Sequence, residues 1–334
     1  MSNEAPTDRP DNPYVHDYLD TNEDIVLAPS TVRTYRYKLQ EYVRFLDDIE
    51  TTVLEASQED VVTFIERCVR RGNRESTISG KLAVIGQLYR HIKLRMDVGD
   101  ELNLEPLELE TIDLERYRTP SPIEREALSR EELRQLFDAM DSVRNLLLGF
   151  TAAETGFRNS DLRELTIEDV DFEELEIHAS NPKNGRPYEA PISKDLAFEL
   201  KQWIDHHRLA YTTASDSPYL FPGEQSAKLE TNAGLNTIIK AAAERAGIQE
   251  VIGTSEIHPE HQTNAGAEGS VRQWHRVTAH TLRHSYITLL KDSGVPLSYR
   301  QLVANHTNPE TTRGYEHGRN DVFDRIRDRF DPPR

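Results

Sequence analysis

Basic and aromatic side chains form four short clusters that together have the chemistry needed to act on a phosphate. The first cluster reads T-G-F-R-N-S-D over residues 155–161, where a glycine ends a helical pattern and Asp161 follows Arg158 by three residues. Arginine can donate two parallel hydrogen bonds to phosphate oxygens. An arginine near a helix end is more often a solvated charge, so this cluster predicts no function by itself.

The second cluster places Lys183 and Arg186 in N-P-K-N-G-R, residues 181–186, between two predicted strands. A lysine on a strand turn commonly serves only to keep the surface soluble. The chain contains only nine lysines, however, and an ammonium group on a turn can give a proton to a departing oxygen. This cluster therefore predicts a general acid.

The third cluster, H-T-L-R-H at residues 280–284, begins a predicted helix. His280, Arg283 and His284 fall on one face of that helix. Two histidines at this spacing can bind zinc, but the glutamate of the HExxH motif is missing and no third ligand is obvious. An imidazole beside a guanidinium suits a phosphate better, so we predict no metal and keep zinc as an alternative.

The fourth cluster occupies residues 304–317 and contains His306 and Tyr315. Asn308 as the helix cap and Pro309 at the first helical position predict a helix that carries Tyr315 about two turns in. A tyrosine at such a site usually packs against a core. Its neighbours are glycine or polar, which favours a chemical role for its hydroxyl.

Taken in chain order, these clusters resemble the catalytic set of the tyrosine recombinases, also called the phage integrase family, which includes the Xer-type recombinases. The resemblance covers residues 129 to about 320, with the T-G-x-R-x-S-[DE]-L box, the strand-turn lysine, the H-x-L-R-H box and the H-x8-Y spacing. The family usually has a glycine before the third-box histidine, where this chain has Asn305. Asparagine tolerates left-handed backbone, so we expect the chemistry to be retained.

The resemblance implies a site-specific recombinase or integrase that cleaves and rejoins DNA strands through a 3′-phosphotyrosyl intermediate. In that family the tyrosine attacks the phosphate, paired arginines neutralise its oxygens, the lysine protonates the leaving oxygen, one histidine handles the tyrosine proton and another hydrogen-bonds the phosphate. The residues at the matching positions are Tyr315, Arg158, Arg283, Lys183, His280 and His306. Asp161 is expected to orient His280 or Arg158, and His284 to lie behind the catalytic groups.

No cofactor is implied, because the covalent bond conserves the energy of the phosphodiester. The expected partners are double-stranded DNA and further copies of the chain, as a homo-tetramer on two DNA sites. The alternative is a catalytically idle DNA-binding regulator on the same fold. All six dispersed polar residues are present, which argues against that alternative.

The predicted fold is mainly α with a small antiparallel β-sheet (α+β), in which a helical core-binding (SAM-like) domain precedes a tyrosine-recombinase catalytic domain. The predicted segments are a flexible tail at 1–25, the core-binding domain at 26–105, an acidic linker at 106–128 and the catalytic domain at 129–334. Ser30 or Thr31 is the predicted cap of the first helix, and Ser57 with Asp60 forms a capping box for the second, which stops at Gly72.

Within the catalytic domain, Ser129 and Glu132 form another capping box, and strands are predicted at 167–172, 175–178 and 188–192. Residues 252–275 are predicted to be an irregular insert. The C-terminal segment from 321 to 334 repeats apolar residues at helical spacing, which allows two interpretations. It docks onto a neighbouring copy, or it packs on its own domain through Val322, Phe323, Ile326 and Phe330.

The charge balance opposes a nucleic-acid partner, since 58 acidic and 40 basic residues give a formal net charge of −18. The 31 arginines against nine lysines, on an acidic surface, are typical of proteins from salt-loving microbes, and we predict a halophilic archaeal source. At molar salt, screening shortens to about 3 Å and net charge says little about partners. We expect the DNA to bind in a basic groove between the two domains. This groove gathers Arg158, Lys183, Arg186 and Arg283 with some of Arg70, Arg71, Arg74 and Lys81.

No run of about 18 apolar residues and no apolar leader is present, which predicts a cytoplasmic protein with no membrane partner. The single cysteine, Cys68, lies in an apolar helical pattern and is expected to be a core residue.

Overall fold

The computed structural model describes residues 12–23, 25–180, 187–256, 271–303, 319–330 and 332. Lys183, Arg186, His306 and Tyr315 lie outside the described residues, as does the predicted strand turn at 181–186. The chain divides into two compact units, Met1–Pro122 and Ile123–Arg334. Helices dominate both units, and the strands form small antiparallel sheets, which confirms the predicted fold class.

The N-terminal unit packs the apolar faces of its helices into a single core. The helices are α1 (Pro13–Asn22), α2 (Pro29–Asp48), α3 (Gln58–Arg70) and α4 (Glu75–Arg95), followed by short 3-10 turns at Asp97–Glu101 and Pro106–Thr111. Tyr42 and Tyr89 are fully buried in this core, where their hydroxyls pair at 3.0 Å and Tyr89 donates to the Val53 carbonyl. Cys68 is buried there as predicted.

The signals predicted for both ends of the helix that follows Ser57, which is α3 in the structure, are confirmed. Ser57 Oγ accepts from the Asp60 amide, and an Asp60 carboxylate oxygen accepts from the Ser57 amide at 2.8 Å, forming a complete capping box. The helix ends just before Gly72, which adopts a φ of 75°. The cap predicted for the first long helix is wrong, because α2 begins at Pro29 after Ala28 without a side-chain cap. Proline at the first helical position removes one of the unsatisfied N–H groups, and the Thr31 amide donates to the Ala28 carbonyl at 2.8 Å.

Much of the predicted N-terminal tail is instead helix α1. Asn12 Oδ1 caps this helix by accepting from the amides of Tyr14 and Val15, and the helix buries Val15, Tyr18 and Leu19. The Tyr18 hydroxyl donates to Gln87 on α4 at 2.9 Å. The predicted flexible segment is therefore wrong over 13–22, because three apolar residues suffice when a neighbouring helix covers them.

The linker also starts later than predicted. Pro106 and Leu109 are buried against the N-terminal core, so the turn at Pro106–Thr111 belongs to that unit. The first strongly buried residue of the other core after the division at 122/123 is Leu128, which is 2% exposed. Sequence composition marked the acidic stretch but did not reveal these two apolar anchors.

The C-terminal unit is built around helix α6, which is buried along almost its whole length. Its helices are α5 (Arg130–Asp138), α6 (Val143–Thr155), α7 (Asn159–Glu164), α8 (Lys194–Gln202), α9 (Asn232–Arg245), α10 (Ala279–Asp292), α11 (Leu297–Val303) and α12 (Arg319–Arg329). The predicted capping box of Ser129 and Glu132 begins α5. Helix α10 packs beside α6, and Arg283 of α10 contacts Gly156 at the C-terminal end of α6.

A three-stranded antiparallel sheet, in the order β1-β2-β3, contains β1 (Val170–Asp171), β2 (Glu176–Ala179) and β3 (Tyr188–Pro191). These match the predicted strands, except that Ile167–Asp169 forms a 3-10 turn instead. A second antiparallel pair joins β4 (Val251–Glu256) to β5 (Val271–His275). The prediction of an irregular insert at 252–275 is therefore wrong at both ends of that range. Few apolar residues are buried there, so the sequence lacks the alternating pattern that would indicate a strand.

The C-terminal apolar segment packs on its own unit. Val322, Phe323, Ile326 and Phe330 are all buried in the same core as α6 and α10. The Phe330 ring meets the Tyr286 ring edge-on, with centroids 5.3 Å apart. This selects the second of the two predicted interpretations. Across the described ranges, no helix has both the length and the apolar character needed to cross a bilayer.

Candidate active site

Gly156 makes the turn that brings Arg158 out of the buried helix α6. Its φ of 62° is left-handed, and its amide closes the helix by donating to the Ala152 carbonyl at 3.1 Å. A Cβ at this position would overlap the Tyr286 ring, with the ring Cε1 only 3.1 Å away. Glycine is therefore required both by the backbone conformation and by space. Arg158 then directly precedes α7.

Arg283 on α10 meets this turn from the other side. Its side chain is buried, and its Nη1 donates to the Gly156 carbonyl. Burial, followed by the positive charge of Arg158, lowers the pKa of Arg283. Two guanidinium groups close together in a partly dry site repel each other, so this arrangement favours the binding of an anion between or beside them.

Asp161 is the carboxylate beside this arginine pair. It is 2% exposed, and its Oδ2 lies 3.8 Å from Nη1 of Arg158. The same oxygen accepts from the Tyr188 hydroxyl at 2.6 Å, while Oδ1 accepts from Ser160 Oγ at 3.0 Å. Of the two partners predicted for Asp161, the contact that the structure shows is with Arg158.

Tyr188 is a site residue that the sequence did not indicate. It is the first residue of β3, and its ring packs edge-on against Phe157 with centroids 5.0 Å apart. Burial, followed by the Asp161 carboxylate, raises the pKa of Tyr188, so the phenol keeps its proton at neutral pH. Its position shortly after the lysine-bearing segment 181–186 is the one feature of the sequence that could have drawn attention to it.

His280 lies in the first turn of α10, exposed at the helix surface. Partial withdrawal of the ring from water, followed by the charges of Arg125, Arg283 and His284, lowers the pKa of His280. The partial positive charge at a helix N-terminus acts in the same direction. The imidazole is thus neutral near pH 7 and can accept a proton. His284 follows one turn later and is also exposed.

Arg125 is a second residue near the site that the sequence did not indicate. Its Nε donates to the His275 carbonyl at 3.0 Å, and its guanidinium lies 5.9 Å from the centre of the Trp274 ring. Arg125 and His275 are 150 positions apart in the chain, so no local pattern could have linked them. The Arg125 charge belongs to the electrostatic environment of His280.

Comparison with known families matches residues 126–321 to the phage integrase family and residues 17–95 to the phage integrase N-terminal SAM-like domain. The chain belongs to the phage integrase family. This confirms the predicted family and the SAM-like character of the N-terminal helices.

Curated relatives of this phage integrase family member are tyrosine recombinases. XerC of Roseiflexus castenholzii is 24% identical over 87% of this chain and 84% of its own length. XerA of Pyrococcus horikoshii is 24% identical over 86% and 83%, and XerD of Yersinia pestis is 22% identical over 92% and 93%.

Solved structures share the fold. The lambda integrase(75-356) dimer bound to a COC′ core site has a TM-score of 0.63 at 13% identity, covering 90% of this chain and 93% of that one. The Tn1549 transposon integrase in complex with transposon right end DNA also has a TM-score of 0.63, at 15% identity, covering 91% and 95%. At these identities the likeness supports the fold alone.

The basic residues predicted to contact DNA from the SAM-like unit differ in their environments. Arg70 is exposed, Arg71 lies 3.3 Å from Glu41, and Arg74 is half-buried. Lys81 is buried, and its Nζ donates to Glu41 at 2.7 Å and to Asn73 at 2.8 Å. Contrary to the prediction, the Lys81 ammonium is not available to a phosphate, because its charge is used inside the fold.

His280 and His284 were the predicted alternative as zinc ligands. In the part of the chain that the structure describes, no third His, Cys, Asp or Glu joins His280 and His284 in a potential metal group. The group that does form is Glu176, His178 and Glu189 on the three-stranded sheet. Its members already have polar partners, with His178 Nδ1 3.4 Å from Glu189 and Glu176 3.7 Å from Arg327.

Proposed function

We propose that this protein is a site-specific DNA recombinase or integrase that cleaves and rejoins strands through a 3′-phosphotyrosyl intermediate, with Tyr315 as the nucleophile. The observation that carries the proposal is the meeting of Arg158 and Arg283 at the Gly156 turn beside a histidine whose pKa is lowered. A paired-arginine site with a proton acceptor at its edge suits an oxyanion that gains charge during reaction.

In the proposed first step, the Tyr315 oxygen forms a bond to the scissile phosphorus while the bond to the 5′-oxygen breaks. The tyrosine proton passes to neutral His280, and the departing 5′-oxygen takes a proton from Lys183. Arg158 and Arg283 neutralise the non-bridging oxygens as their charge grows, and His306 donates a hydrogen bond to one of them. Attack by a 5′-hydroxyl reverses these events on a second strand.

Asp161 and His284 act on these groups rather than on the DNA. Asp161 holds the Arg158 side of the pair, since it is the buried carboxylate 3.8 Å from that guanidinium. The neighbouring His284 helps to lower the pKa of His280 electrostatically, which helps to keep the acceptor neutral. The proposed reaction uses no metal or other cofactor, because each proton and each charge has a side chain to handle it.

The substrate is proposed to be double-stranded DNA, gripped by both units. The relatives are named as tyrosine recombinases, and the solved lambda and Tn1549 integrases are described with DNA bound. Arg70, Arg71, Arg74 and Arg186 are the proposed phosphate contacts outside the active site. We further propose a homo-tetramer on two DNA sites as the working assembly, a cytoplasmic location, and a halophilic source that accounts for the acidic surface.

The decisive experiment compares wild-type protein with Tyr315→Phe on a nicked suicide substrate, followed by a denaturing gel. Only the wild type should yield a covalent protein–DNA band, while both bind DNA alike, because the substitution removes only the attacking oxygen. Arg283→Lys should reduce the band strongly, since lysine keeps the charge but loses the two-pronged contact.

Each other outcome of this experiment points elsewhere. A band that persists in Tyr315→Phe removes that residue from the role. DNA binding without any adduct in the wild type supports the alternative of an idle DNA-binding regulator. Inhibition by EDTA that is restored by zinc or magnesium supports the metal-dependent alternative.

A further inference from the structure

Tyr188 connects the two arginines of the candidate site through a single oxygen. Its phenol donates to Asp161 Oδ2 at 2.6 Å, and that same carboxylate oxygen faces Nη1 of Arg158 at 3.8 Å. The Arg283 guanidinium is a further polar neighbour of the phenol and interacts with it through its charge and through a side-chain hydrogen bond. Phe157, which is 1% exposed, fixes the ring edge-on. The hydroxyl therefore has little freedom to move.

The two oxygens of the Asp161 carboxylate are satisfied by hydroxyl groups. Tyr188 and Ser160 each donate a hydroxyl to one oxygen, so the buried carboxylate does not depend on an arginine for hydrogen bonds. Its ion pair with Arg158 is correspondingly loose at 3.8 Å. Other pairs in the unit range from 2.6 Å, as in Arg276 with Glu132, to 3.8 Å, as in Arg144 with Glu224.

We propose that Tyr188 is a positioning residue that keeps the arginine pair available to the scissile phosphate. By satisfying Asp161, the phenol prevents the carboxylate from closing onto Arg158 in a tight, two-pronged pair. Such a pair would turn the guanidinium away from the phosphate and neutralise charge that the reaction needs. Tyr188 exchanges no proton in this role. The inference rests on the proposed strand-transfer function.

The hydrogen bond between Tyr188 and Asp161 joins two elements of the fold, helix α7 and strand β3. Asp161 lies in the first turn of α7, the helix that begins directly after Arg158. Tyr188 begins β3, the strand that follows the lysine-bearing segment 181–186. The hydrogen bond thus ties the element that presents an arginine to the element that follows the proposed general acid. Loss of the bond is expected to disturb phosphate neutralisation first.

The test is Tyr188→Phe, which removes only the phenol oxygen and keeps the ring against Phe157. Single-turnover cleavage of a nicked suicide substrate at saturating DNA should fall by about 10- to 100-fold, because small displacements of a catalytic group cost this much. DNA affinity should stay within about two-fold and the circular dichroism spectrum unchanged, since the arginines keep their charges. Tyr211→Phe is the matched control, as its ring packs on Trp203 instead.

A second substrate separates positioning from general loosening. When the scissile phosphate carries a methylphosphonate, one charged oxygen is absent and less arginine charge is required, so the deficit of Tyr188→Phe should shrink to under about three-fold. In an Asp161→Asn background, where no anion can capture Arg158, adding Tyr188→Phe should cost less than about two-fold.

Wild-type cleavage speed in Tyr188→Phe, or an undiminished deficit on the methylphosphonate, would overturn this inference and leave the proposed function standing. A wild-type protein that forms no adduct at all would overturn both.

Discussion

Replacing Gly156 by alanine should destabilise the C-terminal unit through two effects whose sizes follow from its geometry. The left-handed φ of 62° costs an alanine about 1–2 kcal/mol, from which the reduced freedom of the unfolded chain returns about 0.4–1 kcal/mol. The new Cβ also overlaps the ring of Tyr286, which is fully buried and cannot retreat without shifting its neighbours, at about 1–3 kcal/mol. The expected loss of unfolding free energy is therefore about 1–5 kcal/mol.

Gly247→Ala isolates the first effect. Gly247 has a φ of 72°, but a Cβ there would meet nothing within 4 Å, so this substitution should cost only about 1 kcal/mol. Both tryptophans, Trp203 and Trp274, lie in the C-terminal unit, so urea unfolding followed by tryptophan fluorescence reports on that unit alone.

Activity should separate the two variants further. The Gly156 carbonyl accepts from Arg283, so displacing the turn moves the guanidinium that we propose to bind the phosphate. Cleavage should therefore fall in Gly156→Ala, while Gly247→Ala stays near wild type. Equal losses of stability in the two variants would refute the steric argument. Normal cleavage by folded Gly156→Ala would refute the link between this turn and Arg283.

Three further outcomes are expected. The pKa of His280 lies below 6.5, and the ring is neutral above it, so single-turnover cleavage should rise as the pH passes through this pKa. Arg125→Gln should shift the midpoint of the pH profile upward, because it removes a positive charge near the ring. An unchanged midpoint would exclude the contribution of Arg125. Lys81→Met leaves Glu41 buried with a weaker partner and should cost the N-terminal unit about 3 kcal/mol by hydrogen exchange, whereas exposed Arg70→Met should cost under about 0.5 kcal/mol. Folding by circular dichroism and cleavage should both persist, and peak, at molar potassium chloride within a series from about 0.1 to 3 M, and a steady decline from the low end would contradict the halophilic proposal.

Local chemistry in the sequence predicted the parts of this fold that depend on neighbours in the chain. The capping boxes at Ser57 and Ser129 form as predicted because each is closed by a residue three positions away. The two arginines proposed to be catalytic could be selected because their motifs are short and occur in a specific order. Their mutual approach at the Gly156 turn follows from the packing of α10 on α6, which the sequence indicates only through family resemblance.

Contacts between distant residues account for most of what was missed. Lys81 seemed to be a candidate for DNA because a lysine on a helix is usually solvated, yet its partner Glu41 is 40 positions away. Tyr188 and Asp161 are separated by 27 positions, and no periodicity assigns them to each other. Helix α1 escaped notice for a related reason, since its few apolar residues are covered by α4 rather than by one another.

The docking of α1 on α4 decides where this chain can be shortened. A fragment beginning at Leu27 would be a natural choice for crystallisation if the preceding residues were dispensable. It would instead strip away Tyr18 and Leu19, which are 4% and 1% exposed, and leave His91 without the Asp17 carboxylate that lies 2.7 Å from its ring. The uncovered apolar surface would invite self-association. Trimming should therefore stop before the cap at Asn12.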